Sequence, residues 1–524
     1  MIKYTSCKQI PIEEFILPFS GTLSSENRWV IMANLLPWDE MASVYISNMS
    51  KDLGRAAVNP RVAVGALIIK HILRATDEDT IDFIKENPYL QYFLGSIEYT
   101  YDQPFTPSLF VSIRKRLGVQ EFDELTEEFM LQVRGIEQKI AAKQQKDSDG
   151  KDNSTPSGGS SSEAPNEVKP VDPETGLENN GHLIVDATVA PSDIKYPTDL
   201  DLLNDSREKS EQLIDLLYVS EKGNIKPRTY RKNARKEYLS ATKQRKKRKN
   251  KIRQAIRAQL NYLGRNLRTL NAQLDEKGTR SFPLAHKHQK IYWIIQELYR
   301  QQKQMYDTKT QKIADRIVSI SQPHVRPIVR GKAGKPVEFG AKISVSLVDG
   351  YSYLDRVSWD AYNEGTDLIA QLESYRKRFG YYPEWASADN IYGTRENRAF
   401  MSKHNINYTG IALGRKPKEF TQEQKELATA RKKKGKQRSQ IEGSFGVAKR
   451  KYDLDLVKAK TQATSESWIG MVYLVMNITQ FMRVIFWSFL KKSYSWLVDQ
   501  QISTYNVLVP PPKHRLLKYA LVTS

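Results

Sequence analysis

The chain of 524 residues contains one cysteine, Cys7. That excludes disulfides within the chain and zinc sites built on thiolates, and it fits a reducing cytosol. The N-terminal run Met1-Ile-Lys-Tyr-Thr-Ser-Cys-Lys8 lacks the apolar segment of a secretory signal. Long apolar stretches are missing as well, with one exception from Trp468 to Leu490, which carries Asn477, Gln480 and Arg483. Such polar groups are costly in hydrocarbon, so this stretch is expected to be a buried core helix and no membrane partner is expected. Acid is scarce where base is dense: residues 226–257 hold 15 Lys or Arg and a single acid, Glu237. Across the chain, 81 Lys plus Arg stand against 60 Asp plus Glu, a formal charge of +21. A polyanion is therefore the expected partner, and nucleic acid the first candidate.

At this length two to four domains are expected. Residues 1–145 read as an all-α domain serving DNA-end binding or dimerisation. Within it Thr106-Pro107-Ser108 has the chemistry of a helix start, and the helix it opens would present Arg114, Lys115 and Arg116 on a basic face. Residues 146–180 are rich in Ser, Gly, Pro and acids, with almost no apolar residues, and read as a disordered linker. Residues 206–327 form a basic insertion. Ile256, Leu260, Leu263, Leu267, Leu270 and Leu274 follow 4-3-4-3-4 spacing there, and Ile291, Ile294, Leu298 and Met305 could face them, which makes an antiparallel coiled-coil hairpin the simplest expectation. A basic run is often only a solvated face. Fifteen bases to one acid exceeds what solubility requires, so Lys246, Lys247 and Arg248 are expected to meet phosphates.

Residues 181–205 and 328–490 read as a second domain, with 491–524 as a C-terminal tail. His182-Leu-Ile-Val-Asp186-Ala-Thr-Val189 is a buried-strand pattern holding an acid that needs a cation beside it. Lys342–Leu347 and Tyr353–Ser358 flank Asp349-Gly350, a hairpin signal. A helix over 366–379, a strand ending near Asp389, a helix over 395–404, a strand over 406–413 and a basic loop over 415–436 follow. The next helix carries Glu442. At about 100° per residue, Arg438, Glu442 and Lys449 share one face of it, while Ile441, Phe445, Ala448 and Tyr452 form an adjoining apolar stripe. Asp186, Asp389 and Glu442 thus come from separate elements. Two-metal phosphodiester chemistry needs that arrangement, because no single turn can supply carboxylates to two cations about 3.5–4 Å apart.

This order of elements resembles the ribonuclease-H-like order, interrupted after its first strand. The motifs Val185-Asp186-Ala-Thr-Val, Ala388-Asp389-Asn-Ile-Tyr392-Gly393 and Arg438-x3-Glu442-x6-Lys449 resemble those of DDE-type bacterial insertion-sequence transposases with an InsH-like N-terminal domain. The chain departs from that pattern at Gly435, where such families often have tyrosine, and at Ile391, where they often have glycine. The resemblance implies an α/β ribonuclease-H-like catalytic domain with a mixed sheet flanked by helices and an all-α N-terminal domain; the basic hairpin insertion lies outside the shared part and takes no role from it. It implies Asp186, Asp389 and Glu442 as catalytic residues and Mg²⁺ ligands, with Mn²⁺ as a substitute. Arg438, Lys449 and Tyr392 are implied as DNA contacts beside Arg114, Arg116 and the basic insertion. The implied reaction is cleavage at the terminal inverted repeats of an element and strand transfer into target double-stranded DNA. The implied setting is a homodimer or higher assembly on DNA in prokaryotic cytoplasm, associated with the nucleoid. A nuclease of the same fold that does not rejoin, or a silent DNA-binding descendant, are the alternatives.

Overall fold

The computed structural model describes residues 9–18, 21–47, 49, 57–149, 169–218, 225–243, 248–277, 282–329, 337–411 and 421–508. Among them, seven helices come first: α1 (Arg28–Leu35), α2 (Trp38–Ser47), α3 (Pro60–Leu73), α4 (Asp77–Glu86), α5 (Pro88–Phe93), α6 (Leu109–Arg116) and α7 (Val119–Asp149). Their starts are written locally. Asn27, Asn59 and Asn87 accept backbone N–H bonds at the openings of α1, α3 and α5, with proline at the first helical position of the last two. Thr76 and Asp79 close a reciprocal capping box on α4. The start expected at Thr106-Pro107-Ser108 is corrected: α6 begins at Leu109, Ser108 caps nothing, and the Thr106 and Ser108 hydroxyls pair with each other at 3.2 Å.

A mixed sheet follows. Its strands are β1 (His182–Pro191), β2 (Arg326–Val329), β3 (Val337–Val348), β4 (Tyr351–Ser358), β5 (Trp385–Ser387) and β6 (Asn407–Tyr408). β1 lies at the centre, antiparallel to β3 on one side and parallel to β5 on the other; β6 continues parallel beyond β5, while β2 and β4 both pair with β3. Asp349 and Gly350 turn the β3–β4 hairpin with φ of 50° and 85°, the left-handed pair that the Asp-Gly signal requires. Gly340 faces Pro191 across the β1–β3 ladder so closely that a Cβ there would collide with the carbonyl oxygen of Ala190. Helices α12 (Leu368–Phe379), α13 (Arg395–Lys403), α14 (Gln422–Lys436), α15 (Ser439–Lys451) and α16 (Gln462–Leu508) complete this part.

α14 corrects the basic loop expected over 415–436. Thr421 and Gln424 form a capping box that nucleates it, and residues 412–420 lie outside the described residues. The apolar stretch from Trp468 is long and apolar enough to cross a membrane by length and composition. It packs instead as the first half of α16, burying Ile469, Val472, Leu474, Val475, Ile478 and Phe481 against α3, α6, α7 and β4. One hydrophobic core therefore runs from Phe15 through Val133 into the sheet and on to Phe481. Arg378 at the end of α12, nearly buried, ties the same junction by pairing with Asp355 on β4 at 3.3 Å and with Asp123 and Glu127 on α7 at 2.9 and 3.1 Å.

Between β1 and β2 the chain leaves the sheet as α8 (Asp199–Leu217), α9 (Arg231–Thr242), α10 (Lys249–Lys277) and α11 (His286–Thr308). The expected two-helix hairpin is corrected to a bundle. Leu202, Leu203, Leu213, Ile214 and Leu217 of α8 supply the surface that Leu260, Leu263, Leu267 and Leu270 bury against. On α11 the buried apolar positions are Tyr292, Ile295, Leu298 and Met305, and Ile291 and Ile294 flank them. Arg207, 1% exposed, is held inside this bundle by Asn204 at 2.7 Å, Gln259 at 3.2 Å and the carboxylate of Glu211.

The linker expected over 146–180 is also corrected at both ends: α7 runs to Asp149, and residues 169–180 pack on the sheet edge, while 150–168 lie outside the described residues. Polar side chains do the anchoring here, which is why composition alone conceals it. Buried Asp172 binds His404 Nδ1 at 2.8 Å and accepts from the Thr175 hydroxyl at 2.6 Å, and Asn179 Nδ2 donates to the carbonyls of His404 and Asn405 at 2.8 and 3.1 Å.

Candidate functional site

Asp186 sits midway along the central strand, opposite Val345 of β3. Its side chain is 16% exposed, and its Oδ1 accepts from the Ala187 amide at 2.8 Å. Desolvation pushes its carboxyl up to about 6 against the pull of that amide; the negative charges of Glu364 and Asp389 push the same way, and Arg438 opposes them. A strand of β-branched residues thus carries a carboxylate into a place where further negative charge already gathers.

Asp389 lies two residues beyond β5, at the start of a 3-10 turn over Asn390–Tyr392. Its exposed carboxylate accepts from the Asn390 amide at 2.7 Å, and its carbonyl from the Tyr408 hydroxyl at 3.2 Å. Glu442 stands in the first turn of α15 with its side chain 58% exposed, while Ile441, Phe445, Ala448 and Tyr452 bury the neighbouring stripe of that helix. Arg438 joins two of the acids: Nη2 lies 3.3 Å from Glu442 Oε1 and Nη1 lies 4.0 Å from Asp186 Oδ2.

Among the described residues, no three His, Cys, Asp or Glu side chains are drawn together tightly enough to hold a metal ion. Like-charged carboxylates spread apart when no cation bridges them, and here a guanidinium occupies the interval between two of them. The donor set still suits a hard divalent cation. All three side chains are carboxylates, the preferred ligands of Mg²⁺, and the cation now between Asp186 and Glu442 marks the place where positive charge is favoured.

The expected DNA contacts separate into three kinds. Tyr392 is 0% exposed and lies in the core, so its proposed contact with DNA is corrected; the 3-10 turn points the ring inward. Arg114 is corrected as well, because both terminal nitrogens are committed to Asp77 at 2.8 and 2.7 Å and the residue is buried. Arg116 is half-buried and donates to the Tyr45 hydroxyl at 2.9 Å. Lys449 is half-buried on α15, Arg248 is exposed at the foot of α10, and Lys246 and Lys247 lie outside the described residues.

Two residues near the acids escaped the sequence reading. Glu364 opens a 3-10 turn over Glu364–Thr366 and pairs with Lys342 of β3 at 2.8 Å. Nothing local marks either one, because their relation to Asp186 is made by packing between distant segments.

Residues 386–479 match the family described as "Transposase DDE domain", a span that includes Asp389, Arg438 and Glu442. Residues 18–116 match "Transposase domain (DUF772)", covering α1 to α6. A protein of Rhizobium meliloti, "Uncharacterized protein ORF8 in nfe locus", is 31% identical over 96 residues, 18% of this chain. The chain spans 46% of that relative's length. No solved structure matches the chain. Two separate stretches of the chain are therefore similar to transposase families: the N-terminal helices to a transposase domain, and the part carrying Asp389 and Glu442 to a transposase DDE domain.

Proposed function

We propose that this protein is a Mg²⁺-dependent transposase that cleaves the ends of its own element and joins them to target double-stranded DNA, with a ribonuclease-H-like domain as its catalytic part. The order β4-β3-β1-β5-β6, with β1, β5 and β6 parallel, supports the fold reading. The observation that carries the function is the meeting of Asp186, Arg438 and Glu442 above the central strand, with the charge of Asp389 acting on the first of them.

In this reading Asp186, Asp389 and Glu442 would together hold the Mg²⁺. Bound Mg²⁺ would supply Lewis acidity at the phosphodiester and lower the pKa of an attacking water or 3′-hydroxyl. The chain's own side chains do the rest. Burial of β1 fixes Asp186, and the apolar stripe of α15 fixes the helix on which Glu442 rides. Arg438, freed from the two acids, turns to a phosphate oxygen, with Lys449 further along the same face. The exposed bases of α9 and α10 follow the DNA backbone. Two element ends must be held together, so the working form is a dimer or larger assembly, acting in the cytoplasm at the nucleoid.

The test uses purified protein, wild type and Glu442→Gln, with labelled DNA carrying the element's ends and a target plasmid, with and without Mg²⁺. Metal-dependent cleavage and joining, both abolished in the variant, is the expected result. Cleavage without joining would make the protein a nuclease, and binding without cleavage a silent DNA-binding protein.

A further inference from the structure

We infer that Glu364 is a fourth carboxylate of the divalent-cation site, held in place by Lys342 until a metal ion arrives. The inference rests on the metal-site reading above and adds to it a residue that no motif marks.

The first support is the way two turns are locked together. The 3-10 turn that Glu364 opens packs on the 3-10 turn that Asp389 opens. Asn397 Nδ2 bridges them, donating to the carbonyls of Gly365 at 2.6 Å and Tyr392 at 2.8 Å. Asn397 is itself buried, and Gly365 sits so close to the carbonyl of Ile391 that a Cβ would force the turns apart. Positioning of Asp389 therefore positions Glu364 as well. The Asn363 side chain fixes the entry to the Glu364 turn by accepting from the Gly365 amide at 3.1 Å.

The second support is the balance of charge. Four acids are involved: Arg438 lies between Asp186 and Glu442, Lys342 pairs with Glu364, and the charges of Glu364 and Asp389 both act on Asp186. Glu364 is the larger of the two negative influences on the Asp186 carboxyl, ahead of Asp389. Its own side chain is 24% exposed and pairs with Lys342 at 2.8 Å, so little of it meets bulk solvent. Lys342, 12% exposed, donates to the Tyr362 carbonyl at 2.8 Å as well as pairing with Glu364, and is fixed as part of the strand. Like charges that act on one another are unfavourable unless cations intervene, and a lysine and an arginine together neutralise only two of the four. A divalent ion neutralises the other two.

The probe is Mn²⁺ alone, titrated into the full chain without DNA and read by the decline of the free-ion electron paramagnetic resonance signal. Wild type, Glu364→Gln, Glu364→Asp and Asp186→Asn are compared. Circular dichroism confirms folding, and Gln keeps an acceptor for Lys342. The expected result is that Glu364→Gln weakens Mn²⁺ binding roughly ten-fold or more, the scale on which groups around a metal act, and that Glu364→Asp recovers part of that affinity. Unchanged Mn²⁺ affinity in folded Glu364→Gln, with Asp186→Asn abolishing binding, would overturn the role of Glu364 and leave the metal site standing. Unchanged affinity in Asp186→Asn would overturn the site as a whole, and this inference with it.

Discussion

A guanidinium between two carboxylates can stabilise the folded protein, compete with a metal, or serve a phosphate; Arg438 lies between Asp186 and Glu442, and under the proposed function it would do each in turn. The pair it makes with Glu442 is largely solvated, so it contributes only about 0.2–1 kcal/mol. Replacing Arg438 with Gln should therefore leave the melting temperature nearly unchanged. It should raise Mn²⁺ affinity of the DNA-free protein by up to about five-fold, the equivalent of that energy, because a competing cation is gone. Joining of element ends should fall in the same variant, since the phosphate is deprived of its partner. If Mn²⁺ affinity fell together with joining, Arg438 would be positioning the acids rather than competing for them. At this scale the sequence was legible where a motif coincided with an element boundary: Asp389 just beyond a strand, Glu442 one turn into a helix. It was illegible where inward or outward orientation decided the role. Tyr392 and Arg114 belong to polar-looking stretches, yet a 3-10 turn buries one and Asp77 engages the other. Glu364 lies in an unremarkable Asn-Glu-Gly-Thr run, and only the packing of two distant turns gives it a neighbour worth naming.

The elements tell a similar story about the basic bundle. Leucine spacing on α10 and the apolar positions of α11 showed two facing stripes but not the helix that completes their cover. The α8 helix, whose first residues up to 205 read as part of the other domain, turns out to be the main cover, together with a buried polar cluster around Arg207. Removing residues 226–257 would tear that bundle open, so a deletion cannot report on DNA binding by its surface. Neutralising exposed Arg248, Lys249 and Lys251 to Gln leaves the packing intact, because none of the three is buried. If all three meet phosphates, the slope of log affinity against log salt should flatten by about 0.9 for each phosphate no longer neutralised. Fluorescence anisotropy of a labelled duplex across a salt series measures it. A slope identical to wild type would make this face a solvated surface and move DNA binding elsewhere on the molecule, with α14 the next basic helix to test.

For the whole molecule, the decisive feature is that the last long helix closes the first domain. A linker poor in apolar residues suggests two independently folding parts, and this is what local composition can express. The chain defeats it by returning: α16 lies against α3, α6 and α7 on one side and β4 on the other, so neither part completes its core alone. The crossing is tight at Gly470, where a Cβ would run into the ring of Phe122 on α7. Gly470→Ala should cost about 1–3 kcal/mol, the range for forcing an added methyl into a packed interior. Because the core is continuous, that cost should appear as one shifted transition in urea, with tryptophan fluorescence and far-ultraviolet circular dichroism moving together. Two separated transitions, with only one of them displaced, would mean that the N-terminal helices hold together without α16. The coupling matters for the chemistry as well. α15 hands the chain to α16, so the N-terminal helices are joined through one shared core to the helix that carries Glu442.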